Sequence, residues 1–292
     1  MFRRRDRIQL KDPAQIALMR EAGLVVGRTL ELLRATAAPG LSTRDLDAVA
    51  AESIRAAGAT PSFLGYHGFP GVICVSVNDE VVHGIPGERV LRDGDVVSID
   101  CGAVVEGWHG DAALTLAVGE VPGEVRELMA VTEDAMWAGL AAARVGGRLS
   151  DVSHAVETAV RRRGPYGVVE DYVGHGIGTE MHQEPPVPNH GRPGRGPRLE
   201  AGMALAIEPM VTLGAPATRV LDDDWTVVTE DGLPAAHFEH TVALTERGPW
   251  VLTSLDGGRE RLLAAGSPYG GTDGGSGTAG PGATPASSPP QP

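Results

Sequence analysis

Two aspartates flank a tight turn: Asp100 in Ser98-Ile99-Asp100 and Asp111 in Trp108-His109-Gly110-Asp111 stand on either side of Glu106-Gly107. In a hairpin with an even-numbered loop, facing residues have odd summed numbers. Both side chains therefore project from one face of the ribbon, opposite or nearly opposite one another. Two carboxylates so placed repel. Either one turns to solvent, or one takes up a proton, or a cation lies between them. Three residues further along bear on that choice. His175 is set among glycines in Gly174-His175-Gly176-Ile177-Gly178, which suits close approach of backbone to a site. Glu208 interrupts the apolar run that begins at Met203, with Pro209 after it, and a carboxylate inside a buried strand demands a partner. Glu239, between Phe238 and His240, makes the same demand on another strand candidate. Singly, each of the three is more often structural than functional. Together with the aspartates they supply four carboxylates and one imidazole, a donor set for two hard or borderline cations sharing bridging oxygens. Ions about 3.5–4 Å apart lower the pKa of a shared water and polarise a substrate oxygen, which is hydrolytic chemistry.

The elements that must position these residues alternate in kind. Asp12-Pro13-Ala14-Gln15 places an N-cap, a proline at the first helical position and a reciprocal Gln, predicting a helix to about Thr36. Ser42 caps a second helix carrying Leu46, Val49 and Ile54, and Gly58 supplies its left-handed stop. Residues 71–118 then turn to β-branched runs punctuated by Asn78-Asp79, Pro86-Gly87, Asp93-Gly94 and Glu106-Gly107, which reads as antiparallel strands. Helices are expected over 122–143 and 149–163, the second ending in Arg161, Arg162 and Arg163 as a solvated helix end beside the negative pole of the dipole. A second β-rich block runs from Gly167 to about Leu252. Met203 to Val211 and Trp225 to Thr229 are its strands, and Asp231-Gly232 is a hairpin signal. Helix pair, sheet, helix pair, sheet implies two similar α+β halves facing each other, without a residue-level repeat. Residues 1–265 form one catalytic domain in this reading, and 266–292, dominated by Gly, Ser, Thr, Ala and Pro, form a disordered tail.

Composition narrows the partners. With 25 Lys and Arg against 38 Asp and Glu, the net charge of −13 repels polyanions over most of the surface, so no direct nucleic-acid binding is expected. The basic start at Arg3, Arg4, Arg5 and Arg7 is followed by no apolar stretch, and no run approaches the roughly 18 residues that span a bilayer. Cys74 and Cys101 are too few for a disulfide framework and suit a reducing cytoplasm.

Eight stretches, in order, give the chain a resemblance to type I methionine aminopeptidases of the pita-bread fold, from near Ile8 to about Leu263. They are Gly65-Tyr66-His67-Gly68-Phe69-Pro70, the segment from Ser76 to Pro86, Ile99-Asp100-Cys101-Gly102, His109-Gly110-Asp111, the glycine-flanked His175, Met181-His182-Gln183-Glu184-Pro185, Ile207-Glu208-Pro209 and Phe238-Glu239-His240-Thr241. The resemblance implies that Asp100 chelates one of two divalent ions (Fe, Mn, Co or Zn), that His175 and Glu208 hold the other, and that Asp111 and Glu239 bridge both. It implies that His83 and His182 contact the scissile amide and stabilise the oxyanion, and that Glu208 carries a proton between attacking water and leaving amine. Tyr66, Phe69, Cys74, Met181 and Trp225, with His67 nearby, match the family's methionine pocket, an apolar surface suited to a thioether. Cys101 is expected on the opposite face of its strand from Asp100.

The implied activity is removal of an initiator methionine from nascent polypeptides with a small second residue, at the ribosome, by a monomer. Two alternatives remain at this point: a proline-directed peptidase of the same fold, and a non-catalytic binding protein built on it. One departure from the family's pattern stands out. Ala235 and His237 occupy positions where Ser and Gln are common, and His237 shares strand parity with Glu239, so it is expected to face the site and to tune metal preference or substrate contacts.

Overall fold

The computed structural model describes residues 8–272. Its first two helices form where the caps place them. Helix α1 runs Pro13–Thr36 behind the reciprocal Asp12/Gln15 box, and α2 runs Thr43–Ala56 behind a second box between Ser42 and Asp45. The buried face of α1, with Met19, Val26, Leu30 and Leu33, lies against the hairpin made by Val96–Val105 and Trp108–Ala117. Gly23 and Gly110 allow the close approach: a Cβ on Gly23 would collide with the Leu252 carbonyl, and one on Gly110 would sit 2.7 Å from the Gly23 nitrogen. The second pair, α3 (Gly123–Ala142) and α4 (Leu149–Arg163), packs together over the second half.

The main sheet has nine antiparallel strands. Its path runs Thr60–Pro61, Val96–Val105, Trp108–Ala117, Glu239–Thr245, Ala204–Ile207, Gly174–Gly176 and Gln183–Val187, with Ile73–Val77 and Gly248–Val251 branching from it. The two halves join where Trp108–Ala117 meets Glu239–Thr245, through the pairs Glu239↔Ala113 and His240↔Ala112. Two three-stranded sheets complete the layer. One joins Ala235–His237, Met210–Thr212 and Gly167–Val168, and the other joins Thr218–Val220, Val227–Thr229 and Glu80–Val82. The expected alternation of helix pair and sheet is what the chain forms.

Three local expectations are corrected. The strand read as Met203 to Val211 breaks at Glu208-Pro209 into Ala204–Ile207 and Met210–Thr212, which belong to different sheets, because proline offers no amide to a ladder. Asp231-Gly232 joins Val227–Thr229 to Ala235–His237, but those strands pair with other partners, so it is a turn and not a hairpin. The helix end at Arg161, Arg162 and Arg163 is exposed, as expected, and Arg163 also bonds Glu127 at 2.6 Å and Asp134 at 3.1 Å on α3. Lastly, the body extends past 265. Ser267 is buried and donates to the Ala141 carbonyl, and Gly270 donates to Pro249, so 266–272 pack on the domain. The rest of the expected tail, 273–292, lies outside the described residues, as does the basic cluster at 3–7.

Candidate metal centre and substrate pocket

The central hairpin turns at Glu106 and Gly107, both with positive φ, and so fixes a two-residue loop with Val105 opposite Trp108. Asp100 then faces Ala113 and Asp111 faces Gly102, which makes the aspartates diagonal neighbours on one face. Cys101 points the other way into the core, and Cys74 lies opposite Asp100 across the neighbouring strand. Register then carries the rest. Ala113 pairs with Glu239 on its far side, so Asp100, Ala113 and Glu239 form one row across three strands. One row over, Asp111 is held to Thr241 by two hydrogen bonds of 3.1 and 2.8 Å, Thr241 pairs with Ala206, and Ala206 pairs with His175. Glu208 follows Ile207, the partner of His240, and its carbonyl accepts from Asn189 Nδ2. Alanines between the acids leave room for what the acids surround.

The flanking glycines of His175 serve close approach, as expected. A Cβ on Gly174 would collide with the Ala206 carbonyl, and one on Gly176 with the Glu184 carbonyl. His175 Nδ1 lies 3.0 Å from the Gly176 carbonyl, which can only accept, so the proton sits on Nδ1. The bare lone pair of Nε2 is left facing Glu208 Oε1 at 3.4 Å and Asp111 Oδ2 at 3.9 Å. Burial and the neighbouring His182 hold His175 down to about 3, so the imidazole carries no charge of its own to offset those oxygens.

The carboxylates carry the opposite perturbation. Burial pushes Asp100 up to about 7. Burial, then the charges of Asp100 and Glu208, push Asp111 well above its usual range; burial and Asp100 do so for Glu208, and burial with Asp111 leading the neighbouring charges for Glu239. Asp100 Oδ1, Asp111 Oδ1 and Glu239 Oε1 are buried without a hydrogen-bond partner. Donor atoms of Asp111, His175 and Glu239 lie within 4.8 Å of one another. The carboxylates of Asp111 and Glu239 and the imidazole lone pair of His175 fit a divalent cation, which supplies the charge they lack, while Asp100 and Glu208 border the same cavity outside that group of three.

A cavity of about 160 Å³ opens from these five residues. Tyr66, Phe69, Cys74, Met181 and Trp225 line it as expected, and so does Phe63, which had no sequence signal beyond its apolar character. Trp225 is fixed by the Asp223 carboxylate, which accepts from the Trp225 and Thr226 amides. His67 is exposed and stands edge-on to Tyr66, outside the lining. His83 and His182 both line the cavity. His83 adopts φ 62 beside Gly84, whose amide is held by Ser76 Oγ, and burial, with His182 next, lowers it to about 4. His182 meets His175 edge-on with ring centroids 4.3 Å apart, and its Nδ1 lies 2.8 Å from the Tyr66 hydroxyl.

The model of metallopeptidase family M24 matches residues 17–246. The chain belongs to that family. Within M24 it is 52% identical over 247 residues to a methionine aminopeptidase of Clostridium acetobutylicum, covering 84% of this chain and 98% of that protein. It is 55% identical over 249 residues to methionine aminopeptidase 1 of Mycobacterium tuberculosis, covering 83% and 94%. The crystal structure of methionine aminopeptidase from Thermotoga maritima matches with a TM-score of 0.83 at 43% identity, over 85% of this chain and all of that one. A prolidase from Pyrococcus furiosus shares the pita-bread fold at a TM-score of 0.68 and 21% identity, with only 65% of its length covered. The M24 fold therefore serves both kinds of peptidase, and the finer likeness is to the methionine aminopeptidases.

Proposed function

We propose that the protein is a methionine aminopeptidase, a hydrolase that removes the initiator methionine from nascent polypeptides whose second residue is small. The observation that carries this reading is the continuity of the apolar cavity with the cluster of orphaned carboxylates: one holds a thioether side chain while the other faces the peptide bond beside it. Asp100, Asp111, His175, Glu208 and Glu239 would hold two divalent cations. The donor set accepts Fe, Mn, Co or Zn. When bound, such a pair lowers the pKa of water and polarises the scissile carbonyl.

The chain's own residues do the remainder. The pocket walls fix the methionine side chain and exclude water around it. With the Tyr66 hydroxyl as donor to His182 Nδ1, the proton of that ring would sit on Nε2, where it can reach a developing oxyanion. His83, uncharged through burial, offers the scissile amide a second neutral imidazole. Glu208, raised by burial and by Asp100, is placed to pass a proton from water to the leaving amine. The reading takes the domain as a cytoplasmic monomer acting beside the ribosome; among the described residues no helix is long and apolar enough to cross a membrane.

The test is incubation of chelator-treated protein with Met-Ala and Met-Phe peptides, with and without added Mn(II) or Co(II). Metal-dependent release of methionine from Met-Ala, and much less from Met-Phe, is expected. No release from Met-Ala under any metal would refute the assignment, and cleavage of X-Pro peptides instead would place the protein with the prolidases.

A further inference from the structure

His237 enters the site through an unusual piece of chain. Ala235–His237 pairs with Met210–Thr212 in one sheet, and after Phe238 the backbone continues as Glu239–Thr245 in another. His237 and Glu239 nevertheless approach the same cluster: His237 Nε2 lies 3.9 Å from Glu208 Oε2. The ring is 2% exposed, and Nε2 is buried without a hydrogen-bond partner. Glu208 is the only carboxylate with an oxygen within 4 Å of it among the described residues. The backbone of His237 is gripped on both polar groups by one hydroxyl. Thr115 Oγ1 accepts from its amide at 2.9 Å and donates to its carbonyl at 2.7 Å, and Ser98 lies 2.9 Å behind. The ring thus starts from a fixed point.

We propose that His237 is a positioning residue that donates Nε2–H to Glu208 Oε2 and so orients the carboxylate from the side opposite His175. The inference rests on the reading of Glu208 as ligand and proton carrier. Its two oxygens face two imidazoles: Oε1 meets the His175 lone pair and Oε2 meets His237. A buried N–H without an acceptor is costly, and closing the gap to hydrogen-bond length takes a shift of about 1 Å. A Gln at this position would also carry an N–H donor. Histidine does so with a stiffer, planar group.

The experiment compares the full-length protein with His237→Leu and His237→Gln, of similar bulk, the first without and the second with a donor. Mn(II) affinity is read by calorimetry, the Co(II)-loaded site by its visible absorption, and kcat and KM with Met-Ala-Ser. The leucine variant is expected to bind Mn(II) about 10–100-fold more weakly, with a changed Co(II) spectrum and a KM near that of the parent. The glutamine variant is expected within about threefold of the parent on each. Parent-like affinity and spectrum in the leucine variant would overturn the role, as would a glutamine variant as weak as the leucine one. A parent protein that bound no metal would instead strike at the metallopeptidase reading beneath it.

Discussion

A cation entering this site must displace protons, and their number follows from how deeply the acids are buried. Asp100, held up to about 7, is about three-quarters protonated at pH 6.5 when no cation is bound. Asp111, Glu208 and Glu239, raised well above their usual range by burial and mutual charge, titrate with it as one coupled set. His175, held down to about 3, enters as the free base and contributes nothing. Ligation takes each acid as its anion, so Mn(II) binding at pH 6.5 is expected to release at least about two protons. Because protons compete for the same oxygens, affinity falls as the pH falls, by about 100-fold per unit where two are displaced. Raising the pH to 8.5 removes about 0.7 proton from the count through Asp100 alone. Calorimetric titration of chelator-stripped protein in pairs of buffers with different ionisation heats reads the count directly. Release of less than one proton at pH 6.5 would mean that the acids are already ionised around an empty centre, and the inference from burial to protonation would fail.

Replacing His182 by Ala is expected to lower kcat by about 100–1000-fold while Mn(II) affinity holds; a parent-like kcat would remove the oxyanion role. Tyr66→Phe deletes the hydroxyl 2.8 Å from His182 Nδ1 and should cost about 2–10-fold in kcat, with a smaller change in KM on Met-Ala peptides; equal losses in both would point to substrate binding instead. Gly176→Ala drives a methyl group at the Glu184 carbonyl, so urea denaturation should show a loss of about 1–3 kcal/mol together with weaker Mn(II) binding through the displaced His175. An unchanged denaturation midpoint in that variant would show that the strand yields freely.

How much the sequence disclosed depended on the range of the interaction concerned. The facing of Asp100 and Asp111 was legible because a two-residue turn sets strand parity over a dozen residues. The Asp12/Gln15 box and the Ser42 cap were legible for the same reason, since each spans only four positions, although the reciprocal Asp45 was not read. Glu208 announced itself as a charge in an apolar run, but the break at Pro209 did not, because the apolar pattern continues while the strand changes sheets. The pairing of Glu239 with Ala113, the anchoring of Glu208 by Asn189 and the grip of Thr115 on His237 join residues far apart in the chain, and no local pattern encodes them. Residues 266–272 were lost to composition: glycine and serine look unstructured, yet Gly270 and Gly271 offer their carbonyls to Arg247.

The meeting of Trp108–Ala117 with Glu239–Thr245 has a mechanical side. Two residue pairs and the Asp111–Thr241 hydrogen bonds beside them are a short weld between large bodies, and the carboxylates straddling it push the bodies apart whenever they are ionised together. An ion drawn in between reverses that push and acts as a rivet. Amide protons at Asp111 and Ala113, which point across this seam, should then exchange faster in metal-starved molecules than in loaded ones, so scarcity of a trace element would register as looseness along a single line through the protein.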